Sequence, residues 1–400
     1  MLKIALIKEG KTPPDERVVL NPEQALQLHS LENVDFKIQS SDVRRFKDQE
    51  YLDLGISVEE NVHDADVLLG VKEVPISSLI ADKTYFFFSH TIKEQPYNRD
   101  LLRAVLEKNI RLIDWETLTS EKGIRYIGFG RYAGIVGAYN GFRAWGLKEG
   151  SYSLKQAFEC ADLLEVKEEL KKVKLPAIKI ALTGGGRVAK GAIEILQELG
   201  IKKVPASDFL NVEYSEPVYA QLFVDDYNRR TDGQNLGRPD FYKNFSEYES
   251  NFYRFAQVTD FFIAGHFYAE GSPFLFTRDD AKKADFNISL VADISCDIDG
   301  PVASTIRPST ISDPIYGYNP QTEAEDDFRK EGVITVMAVD NLPCELPKDA
   351  STDFGREFIK HILPQLLNGD ENGVLERATI AQNGALTSRY AYLTDYVKGM

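Results

Sequence analysis

Cysteine is scarce in this chain. Cys160, Cys296 and Cys344 lie far apart and form no C-x-x-C. An odd, sparse set argues against a disulfide scaffold or a structural zinc site and fits a reducing compartment. No His, Cys and carboxylate set stands at metal-ligand spacing, and no G-x-S-x-G elbow appears, so neither a metal nor hydrolase chemistry is expected. Long apolar runs are missing too, and no stretch approaches membrane-spanning length. The opening run Met1 to Lys8 is too short for a signal peptide and reads as a first strand, which makes a cytoplasmic setting the expectation. Basic charge is in deficit: 62 acids against 47 bases leave a net charge of −15. Such a surface repels nucleic acid and anionic membranes, so neither is expected as a partner. A small anionic substrate would need its own local basic cluster. Internal repeats and low-complexity segments are absent.

What the chain does have is a glycine turn at its centre. Ile178 to Leu182 reads as a strand, Gly184-Gly185-Gly186 as a turn, and an apolar-periodic helix follows through Leu199. Gly184, Gly186 and Ala189 fill a G-x-G-x-x-G/A pattern. Glycine permits the turn, and the helix N-terminus, with Arg187 and Val188, offers N–H groups to a pyrophosphate. A structural glycine turn in some other α/β protein is the plainer alternative. An acid about twenty residues on would hold the adenosine ribose, and Ser207 and Asp208 are the candidates. With no clear acid there, NAD and NADP both stay open. Four hundred residues are too many for one core and imply two lobes around a cleft.

Before the turn, several strands deliver charged residues to their carboxyl ends, where α/β ligand sites form. Lys8, Lys11 and Arg17 follow the first strand and suit carboxylate binding, with solvated loop charge as the alternative. Asn21 and Pro22 start a helix. Val67 to Lys72 ends in Lys72-Glu73. Lys83 to Lys93 delivers His90 and Lys93, and Arg111 to Glu116 delivers Glu116. A lone histidine is more often a core residue; beside Lys72 on a neighbouring strand end it is a candidate for proton transfer. Residues 128–149 read as a buried, glycine-bearing helix crossing between domains, and 154–173 as an amphipathic helix. The acidic, aromatic-rich stretch 209–258 reads as an ordered insertion. Ile288 to Ile294 is a buried strand whose Asp293 and Asp297 would face a nicotinamide. The tail 378–384 is expected to return to the first domain.

Gly70-Val71-Lys72-Glu73, Phe87 to Lys93, Arg111 to Asp114, Ala292 to Asp297 and Asp340 to Pro347 together resemble the lysine-forming saccharopine dehydrogenases. The alanine dehydrogenases and the transhydrogenase NAD-binding subunit share the likeness. It implies an α/β chain of two Rossmann-like doubly wound domains: residues 1–133 plus 346–400 for substrate, and 134–345 for the dinucleotide. It also implies NAD- or NADP-dependent interconversion of saccharopine with lysine and 2-oxoglutarate through an imine. By motif match, Lys72 and His90 are the acid–base pair, supported by Glu73, Glu116 and Asp297. Lys11, Arg17 and Lys93 match substrate-carboxylate binders, and Asp340 lies in a segment near the cofactor. A homodimer and a separate saccharopine-processing enzyme are the partner expectations. An alanine dehydrogenase-like enzyme or a non-catalytic transhydrogenase-like module would share much of this constellation.

Overall fold

The computed structural model describes residues 1–399, and the chain divides into two compact units, Met1–Phe129 with Pro347–Met400, and Gly130–Leu346. Among the described residues no helix is long and apolar enough to cross a membrane.

The first unit is built on β1 (Leu2–Leu6), β2 (Val34–Gln39), β3 (Ser57–Glu59), β4 (Val67–Leu69), β5 (Thr84–Phe87) and β6 (Arg111–Asp114). They lie parallel in the order β3-β2-β1-β4-β5-β6. Short apolar runs such as Val67-Leu68-Leu69 are wholly buried, as a parallel sheet covered on both faces requires. The chain order reverses between β1 and β4, which opens a crevice beyond their carboxyl ends. The helix Pro22–His29 starts where expected, with Asn21 accepting from Gln24 N in a capping box. Thr379–Gln382 adds an antiparallel strand beside β6, which ties the C-terminal segment into this unit. Trp115, Phe354 and Phe358 fill its core, the ring of Trp115 edge-on to both phenylalanines.

The second unit contains β7 (Lys179–Thr183), β8 (Lys202–Lys203), β9 (Val218–Leu222), β10 (Asn228–Arg230), β11 (Tyr248–Ser250), β12 (Phe261–Ala264), β13 (Leu290–Asp293), β14 (Ile315–Asn319), β15 (Ala324–Asp326) and β16 (Ile334–Met337). The main sheet runs β15-β14-β16-β13-β12-β7-β9-β8, with β14 alone reversed, antiparallel to both of its neighbours. The long helix Gly130–Glu149 lies wholly in this unit and packs on Arg187–Glu198. Glycine makes that approach possible: a Cβ on Gly134 would sit 1.9 Å from Val188 O, and one on Gly191 2.0 Å from Arg131 O.

Two sequence expectations change here. Only Leu163–Leu170 of 154–173 is α-helical. Lys155 N and Gln156 N donate to Glu169 and Glu159, so side chains hold the preceding stretch in a loop. The stretch 209–258 is not simply an insertion, because it contains β9, a buried strand paired along its whole length with β7. Its excursion is the part from Val224 to Ala256, carrying the β10–β11 ribbon. Phe241, Phe252 and Phe255 of that excursion are buried in the unit's core.

Candidate active site

The charged residues of the first unit converge at the carboxyl ends of β1, β4, β5 and β6. Glu73 stands at the centre. Lys11 Nζ donates to its Oε2 at 3.1 Å, and His90 Nε2 lies 3.7 Å from its Oε1. The other imidazole nitrogen, Nδ1, lies 3.7 Å from Glu116 Oε2. Arg125 Nη1 and Lys93 Nζ stand 3.7 and 3.8 Å from Glu116 Oε1. Burial works against the Glu116 charge, but His90, Lys93 and Arg125 outweigh it and hold the carboxyl at about 2. Glu73 Oε1, His90 Nδ1 and Glu116 Oε2 are buried and make no hydrogen bond. The imidazole therefore faces the two carboxylates at ion-pair separation, beyond hydrogen-bond distance.

Lys72 makes no ion pair with any described carboxylate. Burial pushes its ammonium below the usual lysine value, and the neighbouring Arg17 and Lys11 charges push the same way against Asp15 and Glu73. Its backbone is fixed from below: Val71 N and Lys72 N donate to the Glu9 carboxyl at 2.6 and 2.8 Å. Burial raises Glu9 to about 8 despite those two bonds, so at neutral pH most of that carboxyl is protonated.

Arg17, expected as a carboxylate binder, is instead buried, with 2% of its side chain exposed. Asp15 grips it through Nε at 2.9 Å and Nη2 at 2.6 Å, and Phe129 lies 4.1 Å beneath its Cζ. Burial pushes Asp15 up, but Arg17 outweighs it and holds the carboxyl at about 2. The charge of Arg17 therefore reaches Lys72 as a field and not as an open fork.

The loop bearing His90 is held by Asp114, the last residue of β6. Asp114 is fully buried and accepts from Ser89 N at 2.8 Å, from Ser89 Oγ, and from Glu116 N at 2.7 Å. One carboxylate thus sets two loops. His90 itself adopts a left-handed conformation, φ 53°, sparse for a residue with a Cβ. Phe88 stacks on the imidazole at 6.1 Å. Sequence reading missed Glu9, Asp15 and Asp114 as site supports and Arg125 as a site cation. Asp114 ends β6 and Glu9 follows β1 by three residues, a signal that was available; Asp15 and Arg125 come from loops with no pattern to mark them.

In the second unit the glycine turn has the expected geometry. Gly184 has φ 101°, and a Cβ there would meet Gly265 O at 2.5 Å. Gly186 begins the helix Arg187–Glu198 with no side-chain cap, and a Cβ on it would meet nothing within 4 Å. A helix that starts on glycine, without a side-chain cap, has the form of an anion-binding N-terminus. Nearby, His266 Nδ1 bonds Thr183 Oγ1 at 2.8 Å, while its buried Nε2 has no partner. An open glycine cradle, an uncapped helix start and an orphaned imidazole nitrogen fit a dinucleotide's phosphates and ribose.

Of the residues expected around it, Ser207, Asp208 and Asp293 are engaged elsewhere. Ser207 and Asp208 bond one another, Oγ to Oδ1 at 3.1 Å, on the exposed short helix Ala206–Asn211. That helix intervenes between the edge strand β8 and β9, so the twenty-residue spacing lands beyond the sheet edge. Asp293 is fully buried and spent on its own loop, accepting from Ser295 N and Oγ, Cys296 N and Thr305 Oγ1. Asp297 lies in the tight turn after it, where Gly300 N donates to its carbonyl at 3.1 Å. Asp340 is exposed beyond β16.

Residues 5–136 match the alanine dehydrogenase/PNT N-terminal domain family. Along nearly the whole chain, the mitochondrial α-aminoadipic semialdehyde synthase of Mus musculus is 28% identical, covering 98% of this chain and 47% of its own length. Saccharopine dehydrogenase (NAD(+), L-lysine-forming) of Yarrowia lipolytica is 24% identical, covering 94% of this chain and 95% of its own. The chain is thus similar to the lysine-forming saccharopine dehydrogenases along nearly its whole length. It spans about half the length of the semialdehyde synthases it matches. An L-alanine dehydrogenase structure superposes with a TM-score of 0.67 at 16% identity, covering 99% of this chain and 100% of that one. That likeness establishes the Rossmann-type fold of both units.

Proposed function

We propose that the chain is a nicotinamide-dinucleotide-dependent oxidoreductase that interconverts saccharopine with L-lysine and 2-oxoglutarate. The observation that carries this reading is the pairing of Lys72 and His90 around Glu73 in a strongly cationic setting. Lys11, Arg17, Lys72, Lys93 and Arg125 stand against the carboxyls of Asp15, Glu73, Glu116 and the buried Asp114, with Glu9 mostly protonated. In a chain of net charge −15, such a local excess supports a substrate bearing several carboxylates.

The dinucleotide, when bound, takes the hydride from the substrate carbon or returns it. Oxidation of a secondary amine also releases a proton from nitrogen and then needs water added to the resulting imine. Lys72, whose ammonium is disfavoured by burial and by its cationic neighbours, is the group set to accept the amine proton. His90, with one nitrogen toward each of two carboxylates, serves the proton of the attacking water. Glu73 and Glu116 orient it, and Lys93, Arg125 and Lys11 are the cations placed for substrate carboxylates.

Nicotinamide absorbance tests the reading. Oxidation of NADH or NADPH should occur with lysine plus 2-oxoglutarate, not with pyruvate plus ammonia, and Lys72→Met should slow it by about 10²-fold or more. Turnover with pyruvate and ammonia alone would favour the alanine dehydrogenase-like alternative, to which the family match over residues 5–136 lends weight.

A further inference from the structure

Of the three cations that follow β1, Lys11 and Arg17 belong to the candidate site, and Lys8 does not. Lys8 lines a separate cavity of about 310 Å³ in the same unit, at the lower end of the range that holds small ligands. The apolar wall of this cavity is Ile7, Val74, Ile80 and Tyr85, which pack in the core layer on one face of the sheet. Phe88, the residue stacked on His90, belongs to the layer on the other face. The Tyr85 hydroxyl is spent within the fold, accepting from Ile80 N at 2.9 Å.

Lys8, Glu60 and His63 supply the titratable lining. Lys8 and Glu60 are exposed and opposite in charge, yet neither forms an ion pair with any described residue. Gln39 stands between their segments: its Oε1 accepts from Lys8 N at 3.1 Å, and its Nε2 donates to Glu60 O at 3.3 Å. A cation, an anion and an apolar wall around one cavity match the three parts of an α-amino acid, its carboxylate, ammonium and side chain. The candidate active site, with its excess of cations, suits ligands with several carboxylates, so an apolar amino acid distinguishes the two places.

The cavity also touches the loops that set Lys72. Gly10 and Pro75 both line it, and a Cβ on Gly10 would lie 2.7 Å from Pro75 Cγ. One residue before Gly10, Glu9 accepts from Lys72 N at 2.8 Å. One residue after it, Lys11 donates to Glu73 at 3.1 Å. We propose that this cavity binds a small α-amino acid with an apolar side chain, carboxylate to Lys8 and ammonium to Glu60, and that its occupancy steadies the two loops holding Lys72. A ligand there acts on the catalytic lysine from a distinct site. The inference does not depend on the reaction proposed above.

Calorimetric titration of the full chain with L-valine, L-leucine, L-methionine and L-phenylalanine tests the binding. At least one should bind, and its deaminated acid and its decarboxylated amine should each bind at least about 10-fold more weakly, the size of one lost charge-assisted contact. Lys8→Gln and Glu60→Gln should each weaken the amino acid by a similar factor. Ser78→Trp, a filling substitution at an exposed lining position, should block it. Thermal melts matching the parent chain would show the fold intact. Hydrogen exchange at the Val71 and Lys72 amides should slow by about 3-fold or more when the amino acid is bound. Failure of all four to bind, or binding that the folded variants leave unchanged, would overturn the site. Binding without slower exchange would overturn the coupling to Lys72. Absence of saccharopine turnover in a chain that passes these tests would count against the proposed reaction alone.

Discussion

The two units solve the same topological problem with different materials. Each has a parallel sheet whose strand order reverses beside its first strand, β1 in one and β7 in the other, and each places its candidate site at that reversal. The first unit fills it with charged side chains held by buried carboxylates. The second fills it with backbone: three glycines, an uncapped helix start and few charges. Proton transfer requires groups that titrate, and those need tuned surroundings. Anion binding requires N–H groups, and those need close approach and no side chain in the way. A change of charge should therefore damage the first unit's work most, and a change of volume the second's.

The largest expected effect is Lys72→Met. Loss of a positioned base should lower kcat for saccharopine oxidation by about 10²–10⁴-fold, with NADH affinity, read by fluorescence, unchanged. A parallel loss of nucleotide binding would break the division of labour between the units. Gly184→Val is its counterpart. At φ 101° with a backbone oxygen 2.5 Å from the added Cβ, strain and clash should cost roughly 2–4 kcal/mol. A melting temperature several degrees lower and loss of NADH binding are the readouts; a stable variant that still binds nucleotide would contradict the cradle.

That contrast also decides what was legible in the sequence. The strand–glycine–helix unit at 178–199 could be read because only glycine allows that turn, and Asn21-Pro22 could be read because capping is local. Lys72, His90 and Glu116 were visible as charged residues ending apolar runs. Strand β9 was not, since Val218-Tyr219-Ala220-Gln221-Leu222 is short and set among acids and aromatics, and its place beside β7 is fixed by pairing far along the chain. Arg17 looked like a free cation because nothing local shows that Asp15 would fold back on it two residues away. Asp293 looked like a cofactor ligand because the buried network with Ser295 and Thr305 depends on a loop closing from outside the motif.

Buried carboxyls in each unit give smaller, sharper tests. In the second, Glu345 is buried and accepts from Asn140 Nδ2 at 2.8 Å, and burial raises its carboxyl to about 7. The folded chain then holds a proton there that the unfolded chain releases near 4.5. Stability from this group is present below pH 4.5, falls as pH rises, and is lost above about 7. Glu345→Gln, which keeps the acceptor, should match the parent at pH 4 and exceed it at pH 8 by on the order of 2–3 kcal/mol in urea unfolding. An equal difference at both pH values would exclude titration as the cause. In the first unit, Asp114→Asn should loosen the Ser89 and Glu116 contacts that set His90. A fall in kcat of about 10-fold is expected, with an altered kcat–pH profile that a merely structural lesion would not produce.

The smallest effect is the one that separates sequence spacing from sheet order. Asp208→Ala removes the acid that stands where a twenty-residue rule would put the ribose ligand. Its helix, Ala206–Asn211, follows the edge strand β8, and β9 lies between that strand and β7. Asp208 is exposed and bonds Ser207 Oγ on its own helix, and an exposed pair of this kind contributes little. Affinity for NADH and for NADPH should each stay within about 2-fold of the parent, a difference under roughly 0.5 kcal/mol. A larger loss for NADH alone would mean that the ribose reaches past β9 to the sheet edge, and the adenosine site would have to be moved there.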